Sequence, residues 1–324
     1  MGSFKKLSLF VAVFLAVPAL FAGSNEVLSL VPSNAVSVGM VRLSDIRTSP
    51  ILGHLINETD KITVDGEAAK FLRETGLKPS EDIDSMTFAL LPAGTIRGDG
   101  RALVIFEGSF NAEKITNAII RRGAGKVAYS RATYLRMTHE KGNQGGAIAF
   151  LSNHIAIAGH EDAVKLALAS RPAGGSDFAR RAPLGRQLLH VDPTANAWAV
   201  IDVTRARLVM EGPTWGTSEK DPRNLVAGML KSVESVVLWT RESSDELVLG
   251  GHATSKDDDT AQAIEDLIRG ALGTWRLAVS ERVPALVPVI RRFKVDRDGL
   301  GVTFRGSVPG KLIRDGMKKI HASK

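Results

Sequence analysis

Apolar and polar residues alternate in short runs along most of this chain. Ala35–Leu43 puts Val36, Val38 and Met40 on one side, the period-two pattern of a half-buried strand. Ile83–Leu91 and Ala102–Gly108 read as two further strands around the Pro92–Gly100 loop, and Asn111–Arg121 follows as a helix with Ile115, Ala118 and Ile119 inward. Val233–Arg241 and Glu246–Thr254 repeat that order, followed by a helix from about Lys256 to about Val279. Its apolar positions Ala261, Ile264, Ile268, Leu272 and Trp275 recur at helical spacing. Gly270 and Gly273 are expected to let this helix approach a sheet closely. Shorter strands fall at Lys126–Ser130, Thr133–His139, Ala147–Leu151 and Ile155–Ala158, the last two joined at Ser152-Asn153. Phe293–Val295 and Val302–Val308 flank Asp298-Gly299, where a tight turn needs a positive φ.

These elements occur twice. Ser37–Arg47 aligns without a gap on Ala197–Arg207, so that Gly39 meets Ala199, Arg42 meets Asp202 and the expected N-cap Ser44 meets Thr204. Asp84-Ser85 matches Glu234-Ser235, and Asn117-Ala118-Ile119 matches Gln262-Ala263-Ile264. The first half carries extra strands. Strands joined mainly by hairpins predict antiparallel pairing. The expected fold is therefore α+β: two related halves, each a mainly antiparallel sheet with helices packed on one face. Residues 171–177, with one Pro and two adjacent glycines, form the natural boundary. The predicted organisation is a signal peptide at 1–22, a first domain at 23–175 and a second at 176–324.

The N-terminus changes the picture. Lys5 and Lys6 precede the apolar run Leu9–Val17, Pro18 breaks it, and small residues cluster at Ala19, Ala22, Gly23 and Ser24. This is the grammar of a secretory signal peptide, with cleavage expected between Ala22 and Gly23. The run is too short to span a bilayer, which takes about 20 apolar residues, and no later segment approaches that length. The expected protein is exported to the periplasm or beyond, and is not an integral membrane protein.

Composition adds little. The 324 residues are 44% hydrophobic and 24% charged, ordinary globular usage, with no cysteine. Thiolate metal sites, disulfides and cysteine nucleophiles are thereby excluded. The formal charge is +7, and its side-chain excess lies in residues 171–324, with 24 basic against 19 acidic. That excess fits either an anionic partner or plain solvated charge, and the interleaved acids favour the latter.

No catalytic constellation stands out. Of the histidines at 54, 139, 154, 160, 190, 252 and 321, no two have i,i+4 spacing. Asp257-Asp258-Asp259 lacks the alternation of a calcium loop and is explained by the helix dipole at its N-terminus. Gly123–Lys126 lacks the spacing of a phosphate loop, Ser307 sits in no nucleophile elbow, and Asn57-Glu58-Thr59 is a short glycosylation match. Aromatic residues are only 6%, too few to interleave with cations along single-stranded nucleic acid. Trp215, between Gly212-Pro213 and Gly216-Thr217, is the large side chain best placed to anchor a partner. No cofactor and no metal are expected.

Leu30–Ala35, Val41–Ser44, Phe71–Leu77 and the strand around Asp84-Ser85 resemble a group of uncharacterised exported bacterial proteins. The resemblance spans most of the chain after the signal and implies a bacterial envelope setting; it supplies no site. The leading expectation is a non-catalytic binding or interaction module, its partner another envelope protein or an anionic surface. The rivals are a hydrolase with its site at the junction of the halves, and a structural or assembly factor.

Overall fold

A computed structural model describes residues 25–53, 56, 66–92, 101–137, 145–170, 178–210, 232–282 and 284–322. The signal segment with Ala22 and Gly23, the Pro92–Gly100 loop beyond its first residue, the 171–177 boundary, the sequon and the Trp215 loop lie outside these residues.

The chain opens with α1 (Asn25–Leu30), β1 (Ser37–Arg42) and α2 (Leu43–Arg47). Next come α3 (Glu67–Thr75), α4 (Pro79–Asp82), β2 (Ile83–Leu91), β3 (Arg101–Gly108) and α5 (Ala112–Arg121). β4 (Gly125–Tyr129), β5 (Ala132–Met137), β6 (Gly146–Phe150) and β7 (Ile155–His160) lead into α6 (Glu161–Ser170). After α7 (Phe178–Arg181) and a 3-10 turn at Leu184–His190 follow β8 (Ala197–Asp202), α8 (Val203–Met210), β9 (Val233–Ser243) and β10 (Glu246–Ser255). The long helix α9 (Asp258–Arg282), α10 (Val287–Ile290), β11 (Lys294–Asp298), β12 (Gly301–Pro309) and α11 (Gly310–Ala322) complete the order.

The twelve strands among the described residues join one antiparallel sheet, in the order β11-β12-β10-β9-β8-β1-β2-β3-β7-β6-β5-β4. The α+β class is therefore observed, but the two expected sheets are one, because β1 and β8 pair edge to edge. Gly39 lies opposite Ala199, Val38 opposite Val200 and Met40 opposite Trp198. On the outer side of each central strand the registers correspond as well. Arg42 faces Ser85 on β2, and Asp202 faces Ser235 on β9.

Helices lie on both faces of the sheet, not one. The first face carries Val38, Met40, Leu103, Ile105, Ile157, Trp198, Val200 and Val237. Val27 and Leu30 of α1, Val164 and Leu168 of α6, and Phe178 and Leu184 pack on it. Phe178 and Leu184, beyond the predicted boundary, thus join the core built by the first strands. On the second face Ile115 and Ile119 of α5 cover Phe106, Ala156 and Phe150, with the Phe110 ring edge-on to Phe150 at 6.5 Å. Farther along that face, Ala261, Ile264, Ile268 and Leu272 of α9 cover Ala253, Val295, Val302 and Phe304. The physical reason is visible in β3. Ala102–Phe106 is apolar at every position, so both pleat faces need cover. Each such side chain buried contributes about 1.5–3 kcal/mol.

Asn111 caps α5 by accepting from the Lys114 N–H, and Gly76 ends α3 in the left-handed conformation at φ 72°. Gly299 takes φ 54° in the Asp-Gly turn, and Ser244 and Asp245 at φ 50° and 60° close the β9–β10 hairpin as a type I′ turn does. Two expectations are corrected. Ser44 and Thr204 lie inside their helices; Arg42 occupies the N-cap of α2, and Asp202 Oδ1 accepts from the Arg205 N–H at the start of α8. Gly270 and Gly273 do not meet the sheet, since an added Cβ at either would touch nothing within 4 Å.

Candidate functional site

The second half of α9 is where the helix outruns its sheet. Up to Leu272 the apolar stripe is seated on β10–β12, while from Thr274 to Ser280 most side chains are exposed. α10 and the start of β11 come alongside and leave an open groove of about 440 Å³. Its apolar floor is Leu272, Ile290, Phe293 and Val295, with Ile290 and Val295 buried. Trp275 is 44% exposed and meets Phe293 edge-on, ring centroids 6.5 Å apart. Leu277, 71% exposed, projects from the opposite flank of the helix.

The polar lining is cationic: Arg269, Arg276, Arg291 and Lys294, against the single carboxylate Asp296. Arg269 is committed elsewhere. It pairs with Glu265 at 2.8 Å and donates to the Val295 carbonyl at 2.9 Å, which ties α9 to β11. Glu265 also receives Arg297 at 3.4 Å. Arg276, Arg291 and Lys294 have no side-chain hydrogen bond or ion pair among the described residues. Three cations around an apolar floor can hold an anion that also carries an apolar body.

The junction of the two halves holds a polar cluster. Ser49 donates to Glu242, Asn196 accepts from the Glu242 N–H at 2.6 Å, and the Asn196 amide donates to Asp45 at 3.4 Å. The Ser49 hydroxyl also accepts from the amides of Ile51 and Leu52, at 3.1 and 2.7 Å. That occupies its lone pairs in a turn, so these contacts organise the start of the 49–53 segment.

Two of the dispersed histidines meet. His190, at the end of the 3-10 turn, stacks on His252 of β10 with ring centroids 3.7 Å apart and planes 5° from parallel. His252 Nδ1 lies 3.1 Å from Thr303 Oγ1. Burial, reinforced by the facing imidazole, pushes His252 down to about 4; burial also lowers His190. His154 is apart from them, 3.0 Å from the Gly108 carbonyl.

The remaining candidates from the sequence have local roles. Asp257 caps α9, accepting from the Thr260 N–H at 2.8 Å, and Asp258 pairs with Arg297 at 2.5 Å. Gly123 takes φ 93° in the turn between α5 and β4, and Ser307 lies in β12, where it donates to Glu246. Among the described residues no three His, Asp or Glu side chains are grouped to hold a metal. Neither the groove nor the histidine pair had been singled out from sequence. The one available signal was the density of cations in Arg291-Arg292-Phe293-Lys294, which pattern alone could not tell from a solvated edge.

Among the described residues no helix is long and apolar enough to cross a membrane. No family model matches the chain, and no curated protein matches it. Among solved structures the chain is similar to TP0453 in three crystal forms. Form III is 11% identical with a TM-score of 0.47, covering 89% of this chain and 96% of that one. Forms I and IV are 10% and 12% identical with TM-scores of 0.44 and 0.45, each covering 89% of this chain and 94% of that one.

Proposed function

We propose that this protein is an exported, non-catalytic binding or interaction module of the bacterial envelope, and that it makes its contact at the free end of α9. One observation carries the reading: Arg276, Arg291 and Lys294, without side-chain partners among the described residues, stand beside an exposed Trp275. Exposed aromatic and cationic side chains in one place are the composition of a contact surface. Export rests on the basic, apolar and small-residue order of residues 5–24, with the mature chain starting at Gly23. The same reading takes 23–175 and 176–324 as divergent copies of one unit. The equivalent registers of Arg42 on Ser85 and Asp202 on Ser235 support it.

The test is capture of envelope components by tagged mature protein from its native cell. Trp275→Ala with Arg276→Gln should reduce the captured material at least tenfold while leaving the thermal midpoint within a few degrees. Unchanged capture by the double variant would remove the contact surface from the account. The rival hydrolase reading draws on the Ser49, Asn196 and Glu242 cluster at the junction. Turnover in a hydrolase screen that is lost in Ser49→Ala would establish it in place of the module.

A further inference from the structure

The groove's lining is specific enough to name a ligand class. A free inorganic anion would use the cations and leave the floor wet. A neutral hydrocarbon would use the floor and leave three cations unanswered. Only a molecule with both parts satisfies the whole surface.

We propose that the groove is a binding site for an amphipathic anion: a phosphate or carboxylate head between Arg276, Arg291 and Lys294, and a hydrocarbon or aromatic body on Leu272, Ile290 and Phe293. The proposal rests on the reading of this end of α9 as the contact surface, and supplies the chemistry of what is contacted. The two guanidinium groups present planar forks that match phosphate and carboxylate oxygens, and Lys294 adds a point charge. Arg269, held by Glu265 and the Val295 carbonyl, fixes the groove wall and is a positioning residue. Asp296 puts a negative charge at the β11 side, which disfavours a second anionic group there. Trp275, edge-on to Phe293, extends the apolar surface out of the groove. The head could belong to a free amphiphile or to a lipid in a bilayer; the chemistry that the site recognises is the same.

Gly273 gives a clean probe. It lines the groove, and an added Cβ there meets nothing within 4 Å, so a larger side chain can be introduced at the groove wall without a clash at Cβ. Calorimetric titration of the mature protein would use dodecyl phosphate below its micellar concentration, with inorganic phosphate and dodecyl maltoside as the two half-ligands. Dodecyl phosphate should bind one-to-one and at least tenfold more tightly than either half-ligand. Gly273→Leu, and separately Arg276→Gln/Arg291→Gln/Lys294→Gln, should each weaken it at least tenfold. Flotation with vesicles of phosphatidylglycerol and phosphatidylcholine then assigns the source. Binding that is lost in the same variants places the anion in a bilayer; binding of monomer alone places it in solution. No saturable binding of dodecyl phosphate, or binding indifferent to both variants, would overturn the proposal. If envelope capture still depends on Trp275 and Arg276 in that case, the contact surface stands and its partner is a protein.

Discussion

Gly39 and Ala199 face each other across the β1–β8 pair, and they are also the residues that match when the two halves of the sequence are aligned. The local frame is therefore symmetric about this pair: Val38 lies on Val200 and Met40 on Trp198, to either side. The approach is close at the centre. A Cβ added to Gly39 would lie 3.0 Å from the Trp198 carbonyl oxygen and 3.4 Å from the Ala199 Cβ. Gly39→Val should therefore cost about 1–3 kcal/mol, read from urea unfolding. Stability equal to wild type would mean that the two central strands are not held in this register.

Acid should loosen the seat of the 3-10 turn at Leu184–His190. Burial lowers both His252 and His190, and His252 falls to about 4 against an ordinary value near 6.5. The unfolded chain thus binds more protons between those values, so stability falls as pH drops from 6.5 toward 4. Arg241 and Arg305 lie on the same sheet face in the flanking strands and add to the positive field, while Asp192 pairs with Arg241 at 3.0 Å. With allowance for solvent access, the loss is about 1–2 kcal/mol. His252→Gln should flatten this part of the urea-stability profile between pH 7 and 4.5. A profile unchanged by the substitution would assign the acid sensitivity to other groups.

Glu161 should act in a lower window. Arg136 foremost, then Lys165 and the Tyr134 hydroxyl, hold its carboxylate at about 2 against partial burial. This stabilisation is present above the ordinary glutamate value near 4.3 and is lost as pH falls through 2. At neutral pH Glu161→Gln should cost about 1–3 kcal/mol, because it removes the negative charge that Arg136 and Lys165 pair with and turns one of the two acceptor oxygens into a donor facing Arg136 or the buried Tyr134. Chemical denaturation at pH 7 checks it, and a change below a few tenths of a kcal/mol would contradict it.

Asp257 is the capping member of the acidic run. Asp257→Ala should cost about 1 kcal/mol, whereas Asp259→Ala, which makes no side-chain hydrogen bond among the described residues, should stay within about 0.5 kcal/mol. Calcium should change the melting temperature of neither variant nor of the wild type. A calcium-dependent rise would return the cluster to the status of a site.

Much of the frame was legible because it is local. Alternation located β2 at Ile83–Leu91, and the Asp298-Gly299 pair located the tight turn before β12. Ser85 and Ser235, matched as repeat positions in the sequence, lie opposite Arg42 and Asp202, which were also matched. What could not be read is long-range. That helices cover both faces depends on which of two apolar pleat faces each helix meets, and a run such as Ala102–Phe106 does not say. The His190–His252 stack joins residues 62 positions apart through the seating of one short turn. The groove exists because α9 outruns its sheet, which a helical period does not reveal. Gly270 and Gly273 illustrate the limit: residues suited to close packing turned out to face open space.

Hydrogen–deuterium exchange of the mature protein, with and without dodecyl phosphate, tests the central claim most directly. The ligand should slow exchange in residues 269–276 and 290–296 and leave the Ser49–Glu242 junction unchanged. Protection that appears at the junction, or nowhere along those two segments, would contradict the assignment of the contact surface to the free end of α9.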